Sequence, residues 1–208
     1  GMTMPFIEKF DSGSYDTNYW NISPYGSGNW YFSTIDGLYE PCVAFSAPKM
    51  SEYRESFISP YVDARNSTEL YASFSYGATM TGAADLQTLL FEVYDGENWN
   101  VAKEFKYTSN KEDLFYARVN ISEWGAGKQT RVRFTAVGKN ESYSIKWAVD
   151  NIRIYDVKDE VVESAPVNFK ALRKEDGTVL LTWENIYETA VLGYGATPFP
   201  VGLARSNN

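Results

Sequence analysis

Leu70-Tyr-Ala-Ser-Phe-Ser-Tyr76 is the stretch that decides the fold. Apolar residues stand at every second position and serine fills two of the positions between them. Successive side chains of a β-strand point to opposite faces, so this alternation predicts a strand with one face in a core. Similar alternation recurs at residues 89–93 and 132–136, and no stretch predicts an amphipathic helix longer than a turn or two.

Turn-forming residues separate the predicted strands from one another. Further strands are predicted at residues 30–34, 42–45, 57–62, 99–105, 115–121, 144–147 and 152–155. Between Tyr94 and Trp99, the pair Asp95-Gly96 predicts a tight hairpin, because glycine readily adopts the positive φ that such turns need. Many short strands with Gly, Asn and Asp between them, and no long helix, predict an all-β chain folded as an antiparallel β-sandwich.

The composition excludes several kinds of chemistry. The 208 residues include no histidine and one cysteine, Cys42, which we expect to be buried in an apolar strand. Ser-His-Asp and Cys-His catalysis, imidazole-ligated zinc and an intrachain disulfide are therefore excluded. The net charge of −8 argues against nucleic-acid binding. No apolar run is long enough for a membrane helix, so we expect no membrane insertion.

The character of the sequence changes after Asp156. A charged stretch leads into Pro166, and residues 166–172 and 178–183 flank a Glu175-Asp176-Gly177 turn, which predicts a β-hairpin. We therefore expect residues 1–157 to form one domain, residues 158–165 a linker, and residues 166–208 a short second segment with a tail.

Several motifs occur in order along the first 156 residues. They are Glu8-Lys-Phe-Asp11 followed by Trp20, Phe57-Ile-Ser-Pro-Tyr-Val-Asp63, the Asp-Gly turn within residues 91–99, and the closing Val149-Asp150-Asn151-Ile152. This ordered set resembles the cleaved-adhesin, or choice-of-anchor J, group of MAM-like domains. The resemblance implies a jelly roll that is non-catalytic and exported or held at a bacterial cell surface. The first ten residues lack a signal peptide, so we expect an export signal to have been removed.

The second segment resembles a different family. Residues 165–183 are similar to the first two strands of a fibronectin type III domain, with Trp183 at the position of that domain's core tryptophan. No recognisable later strand of such a domain follows. We therefore expect a truncated fibronectin type III-like segment.

Aromatic residues are the candidate ligand-binding groups. The chain has 6 Trp, 16 Tyr and 12 Phe, many of them between Tyr15 and Tyr39 among Gly, Ser and Asn. Flat aromatic faces beside hydroxyl and amide groups suit sugar rings, whereas the alternative is core packing, which we expect for Trp20. The candidates are the aromatic residues in polar or glycine-rich surroundings: Tyr25, Trp30, Tyr31, Tyr53 and Tyr61.

Three hypotheses of function follow from these features. The favoured one is an exported or cell-surface adhesion module that binds a glycan or a surface protein. A second is an architectural spacer or assembly domain of a surface protein, which burial of Tyr25, Trp30 and Tyr31 would favour. A third is a glycan-active hydrolase with paired carboxylates among residues 85–113, such as Glu92, although acids on sheet faces and turns are commonly just exposed.

Acidic residues near both ends of the first domain predict a metal site. In a jelly roll the first and last strands run side by side, so Glu8 and Asp11 would approach Asp150. Carboxylates placed together repel one another, and Ca²⁺ removes that repulsion by taking six to eight oxygen ligands. The resemblance points the same way, so we expect a structural Ca²⁺ that ties the two ends together. The alternative is that Asp150 caps a turn with Asn151 while Glu8 and Asp11 face solvent.

Overall fold

The computed structural model describes residues 1–11, 19–33, 41–47, 51–81, 87–106, 112–140, 144–159, 167–184 and 204–207. The chain divides into two compact units, Gly1–Asp159 and Glu160–Asn208. Most of the expected linker, residues 158–165, lies outside the described residues. Among the described residues, no helix is both long and apolar enough to cross a membrane.

The first unit is built almost wholly of strands. They are β1 (Phe6–Glu8), β2 (Asn21–Ser23), β3 (Trp30–Ser33), β4 (Cys42–Ser46), β5 (Ser51–Ile58), β6 (Val62–Asp63), β7 (Leu70–Thr81), β8 (Gln87–Tyr94), β9 (Trp99–Lys106), β10 (Glu112–Asn120), β11 (Gln129–Thr130), β12 (Val132–Asn140) and β13 (Ser144–Asp156). Helical structure in the described part of this unit is limited to α1 (Ser122–Gly125) and a 3₁₀ turn at Val157–Asp159.

Two antiparallel sheets form a β-sandwich, which confirms the predicted fold class. One sheet has the order β10-β7-β13-β4-β3, with β1 also paired to β13. The other has five strands in the order β2-β5-β12-β8-β9. The small β6–β11 pair lies apart from both sheets.

The core lies between the sheets and is rich in aromatic rings. Phe74 of β7 contacts Phe91 of β8 and Phe134 of β12, each at 4.9 Å between ring centroids. Trp20 stacks on Phe57 at 4.5 Å and is buried, as the sequence predicts. Each such side chain contributes about 1.5–3 kcal/mol by leaving water, so the inward rows of these strands hold the sandwich together. Cys42 is also fully buried.

The first and last strands of this unit do run side by side. β1 pairs antiparallel with β13, placing Glu8 opposite Ile152. The sequence predicts two separate strands at residues 144–147 and 152–155, but β13 is continuous. Its pairing shifts between Asp150 and Arg153, where Asn151 has φ 48°. Asparagine tolerates this left-handed conformation, so an irregularity within one strand interrupts the alternation.

The second unit contains a three-stranded antiparallel sheet. Its strands β14 (Val167–Arg173), β15 (Thr178–Glu184) and β16 (Ala204–Asn207) lie in that order. Gly177 has φ 83° in the turn between β14 and β15, so the predicted hairpin is confirmed. The sequence gives no signal for β16, which is short and polar.

Candidate functional site: an aromatic strip on the five-stranded sheet

Three aromatic rings form a row at one end of the five-stranded sheet, on the face turned away from the core, hereafter the outer face. Tyr94 and Trp99 are paired across the β8–β9 hairpin, with 5.2 Å between their ring centroids. Tyr61 meets the edge of Tyr94 at 6.3 Å and is 40% exposed. We call Tyr61, Tyr94 and Trp99 the aromatic strip.

The turn between Tyr94 and Trp99 is held by Asp95. One carboxylate oxygen accepts the backbone N–H groups of Glu97 and Asn98, each at 2.8 Å, and the other accepts the Asn100 side-chain amide at 2.9 Å. The hydrogen bonds from Asn98, Asn100 and Glu97 lower the pKa of Asp95 to about 2. Gly96 has φ 107°, which glycine adopts without steric cost. The turn therefore fixes the register that places the two rings opposite each other.

Two arginines lie over the strip. The Arg131 guanidinium is 4.6 Å from the centroid of Tyr61 and donates two hydrogen bonds to the Ser59 carbonyl, at 3.0 and 2.8 Å. The Arg133 guanidinium is 4.3 Å from the centroid of Trp99. A cation over an aromatic face is attracted by the ring quadrupole. Each arginine therefore helps to orient one ring of the strip.

A hydrogen-bonded chain in the middle of the outer face fixes Arg133. Its Nη2 donates to Glu92 Oε1 at 3.0 Å, and its Nε donates to the other carboxylate oxygen. Thr135 also donates to Glu92, at 2.6 Å, so Ser56 must donate to the Thr135 hydroxyl at 2.7 Å, because a hydroxyl has one proton. Burial alone would raise the pKa of Glu92, but the hydrogen bonds from Arg133 and Thr135 and the charge of Arg133 lower it overall.

A cleft opens at the opposite end of β5 and β12. Its volume is about 490 Å³, and it is broadly open to solvent. The lining residues are Glu52, Tyr53, Arg54, Val137, Gly138 and Lys139. The outer face therefore carries aromatic rings at one end and a cleft with charged walls at the other.

The structure does not bring the predicted ligand-binding residues together. Tyr61 belongs to the aromatic strip. Tyr25 is fully exposed in the turn after β2, and Tyr31 is half-buried on β3, opposite Ala44 in the other sheet.

Trp30 and Tyr53 are predicted to lie at the surface, but the structure places both side chains in the core. Trp30 is 2% exposed, and its indole N–H donates to the Glu55 carbonyl at 3.0 Å. The Tyr53 ring packs on Phe45 at 4.9 Å between centroids. Burial raises the pKa of Tyr53, and the negative charge of Glu55 adds to this. The polar neighbours of Tyr53, Glu52 and Arg54, lie on the opposite face of β5. The polar and glycine residues before Trp30 lie outside β3, which begins at Trp30. In neither case does the local sequence indicate the exposure of the ring.

The acidic residues of the predicted calcium site have different environments. Glu8 is buried and accepts the Trp20 indole N–H at 2.8 Å and the Phe10 backbone N–H at 3.1 Å. Asp150 is fully buried, whereas Asp11 is exposed. Among the described residues, no group of three or more acidic, histidine or cysteine side chains is placed to share a metal ion. Calcium binding stays a prediction, to be checked by melting with EDTA and with added Ca²⁺.

Sequence reasoning missed Tyr94, Trp99, Arg131 and Arg133 as site residues. A signal was present for the first two, because a tight turn at Asp95-Gly96 pairs the residues on either side of it. Alternation along β8 and β12 also places Tyr94 and Arg133 on the face opposite the core residues Val93 and Phe134. The contact of Arg131 with Tyr61 depends on the path of the chain into β6. No pattern in the sequence predicts that path.

Known proteins resemble this chain in structure, not in sequence. No protein-family model matches the sequence, and no curated protein matches it. Among solved structures, the K1 cleaved adhesin domain of Lys-gingipain from Porphyromonas gingivalis W83 aligns with a TM-score of 0.55 at 16% identity, over 74% of this chain and 98% of that one. The first unit has a cleaved-adhesin-like jelly-roll fold.

Carbohydrate-binding modules share the same architecture. A module specific for non-crystalline cellulose, CBM28, aligns with a TM-score of 0.53 at 12% identity, over 76% of this chain and 96% of that one. CBM27-1 of Caldicellulosiruptor saccharolyticus, in complex with mannohexaose, aligns with a TM-score of 0.52 at 12% identity, over 73% of this chain and 96% of that one. At these identities, the likeness describes the fold alone.

Proposed function

We propose that the first unit is a non-catalytic glycan-binding module that acts outside the cell or at its surface. The observation that carries the proposal is the aromatic strip, in which three neighbouring rings on the outer face are oriented by a turn and two arginines. Sugar rings pack their C–H faces on such surfaces, while nearby polar groups bind their hydroxyls.

The network beneath the strip supports binding rather than catalysis. A glycosidase needs one carboxylic acid that can donate a proton, which requires a raised pKa. The pKa values of Glu92 and Asp95 are instead lowered by their hydrogen bonds, so both carboxylates are ionised at neutral pH. These acids therefore act as supports for the strip.

The similar structures also support the proposal. They include adhesin domains and carbohydrate-binding modules, one of them in complex with mannohexaose. Of the three aromatic residues whose burial would favour a spacer, Tyr25 is exposed, Tyr31 is half-buried and Trp30 is buried. A surface protein as ligand is the competing outcome of the experiment below.

The proposal is tested with a glycan array and a pull-down from surface-protein extracts, using the whole chain. Trp99→Ala removes the ring at the end of the strip and should abolish array binding. Tyr116→Ala is the matched control, because Tyr116 is 61% exposed on β10 of the other sheet. Unchanged glycan binding by Trp99→Ala, or capture of proteins with no glycan binding, would contradict the proposal.

A further inference from the structure

The outer face of the five-stranded sheet carries an excess of positive charge, although the net charge of the chain is −8. Within the described strands of this face, every acid is paired with a cation. The pairs are Glu92 with Arg133, Glu104 with Lys106 at 3.6 Å, and Glu52 with Lys139 at 3.9 Å. Arg54 and Arg131 form no salt bridge among the described residues, although the charge of Arg54 helps to lower the pKa of Glu92.

These two arginines stand at opposite ends of the face. Arg131 lies over Tyr61 in the aromatic strip, and Arg54 is exposed in the wall of the cleft. Arg54 is opposite Val137 on β12, six residues beyond Arg131, so the backbone positions of the two arginines are about 20 Å apart along the strands at 3.3 Å per residue. Among the described residues, the Arg131 side chain donates two hydrogen bonds, both to the Ser59 carbonyl, so its guanidinium retains further donors.

The surface between the two arginines is suited to a long ligand. Beneath its middle, the short side chains Ser56 and Thr135 are buried and hydrogen-bonded to each other, and Thr135 also donates to Glu92, which pairs with Arg133. Ile58 and Leu90 lie beside them and are half-buried. The nearby Asp95 carboxylate is occupied by its own turn. Between the two arginines, a chain lying across this face therefore meets the half-buried Ile58 and Leu90 and the Glu92–Arg133 ion pair, whose charges compensate each other.

We propose that the ligand of this face is an acidic polysaccharide, whose uronate carboxylates bind Arg54 and Arg131 while its sugar rings pack on the aromatic strip. This inference rests on the proposed glycan-binding function. A guanidinium donates two parallel hydrogen bonds to a carboxylate, so arginine suits this group particularly well. Because the two arginines are far apart, a polymer can engage both at once and a single uronic acid cannot.

The test measures binding of the whole chain to three uronate polymers by calorimetry: polygalacturonate, alginate and hyaluronan. Fully methyl-esterified polygalacturonate has the same backbone without the charge, and dextran sulfate tests for attraction to negative charge alone. At least one uronate polymer should bind more tightly than its uncharged form and more tightly than galacturonic acid monomer. Arg54→Gln should weaken that binding about tenfold, as expected for one charge-assisted hydrogen-bonded contact. Arg173→Gln, at an exposed arginine of the second unit, should not change it.

The outcomes separate this inference from the function it rests on. Equal binding to acidic and esterified polymers, lost in Trp99→Ala, would leave glycan binding intact and overturn the acidic ligand. Binding of dextran sulfate as tight as that of the uronates, unaffected by Trp99→Ala, would also overturn it as simple ion exchange. Absence of binding to any glycan, neutral or acidic, would overturn both proposals.

Discussion

At the scale of single residues, Glu92 connects the hydrogen bonds in the middle of the outer face. Its carboxylate is buried and accepts hydrogen bonds from Arg133 and Thr135, and Arg133 in turn lies over Trp99. Removal of one partner of a buried ion pair leaves the other charge uncompensated, which is costly. Glu92 thus supports both the stability of the sheet and the position of the strip.

The first prediction concerns this ion pair. Glu92→Ala should lower the free energy of unfolding by about 3 kcal/mol, the low end for a buried pair because Arg133 retains some exposure to water. Glu104→Ala, which removes the exposed pair with Lys106, should cost under about 1 kcal/mol. Urea unfolding measures both, and equal effects would contradict the role given to Glu92.

The second prediction concerns pH. The pKa values of Asp95 and Glu92 are lower in the folded chain than the value of about 4 expected when unfolded. Their contribution to stability is therefore present above the unfolded-state pKa and is lost as the pH falls below it, for Asp95 as the pH approaches about 2. Asp95→Asn should show a weaker loss of stability over this range than the unmodified chain. NMR titration of the Asp95 carboxyl group should give a pKa of about 2, and an ordinary value would contradict the hydrogen bonding of the turn.

The third prediction concerns Tyr53. Its hydroxyl is buried and has no hydrogen-bond partner in the described part of the chain, whereas its ring packs in the core. Tyr53→Phe should therefore leave the melting temperature unchanged or raise it, because it removes a polar atom that lacks a partner. Trp30→Phe, which does break a hydrogen bond to Glu55, should lower it. A large loss on Tyr53→Phe would show that the hydroxyl is bound in solution.

At the scale of elements, the β8–β9 hairpin sets the geometry of the strip. Its turn pairs Tyr94 with Trp99, and Gly96 has a φ that other residues rarely adopt. A change at this glycine should therefore disturb both the fold and the site.

The fourth prediction follows from this turn. Gly96→Ala should destabilise the chain by about 1–2 kcal/mol, the cost of a positive φ for a residue with a Cβ. Gly28→Ala is the control, since Gly28 has open space around it and no positive φ. Thermal unfolding compares the two, and a tolerated Gly96→Ala would contradict the turn geometry.

The central residues of the strands are predictable from the sequence. The ends of the strands and the exposure of individual side chains are harder to predict. Alternation in β7, β8 and β12 identifies the inward-facing residues, because the apolar side chains of these strands are buried in the core between the sheets. The start of β5 was missed, since Glu55 and Ser56 are buried polar residues that break the apolar pattern. Trp30 and Tyr53 were misjudged for a related reason: neighbours in sequence do not report which face a strand residue occupies.

The candidate site was only partly predictable. Tyr61 was identified because aromatic residues in polar surroundings often remain exposed. Arg131 and Arg133 act through contacts across strands, and those depend on register that a single sequence does not specify. The pairing of β1 with β13 could be expected from the jelly-roll resemblance, whereas the hydrogen bond from Trp20 to Glu8 joins residues twelve apart and has no sequence signal.

At the scale of the whole molecule, charge and shape distinguish the outer face of the five-stranded sheet. The chain is acidic, with a net charge of −8, yet Arg54 on β5 and Arg131 just before β12 form no salt bridge among the described residues. The aromatic strip and the cleft lie at its two ends. This distribution predicts one elongated binding surface on the first unit.

The most direct test of this surface is an NMR titration of the whole chain with a glycan that binds in the array. The account predicts that the largest shift changes fall on the Trp99 indole N–H and on the backbone amides of Tyr94 and Arg131. The amides of Tyr71 and Tyr116, on the other sheet, should stay unchanged. Shift changes concentrated at Tyr71 and Tyr116, with Trp99 unaffected, would contradict it.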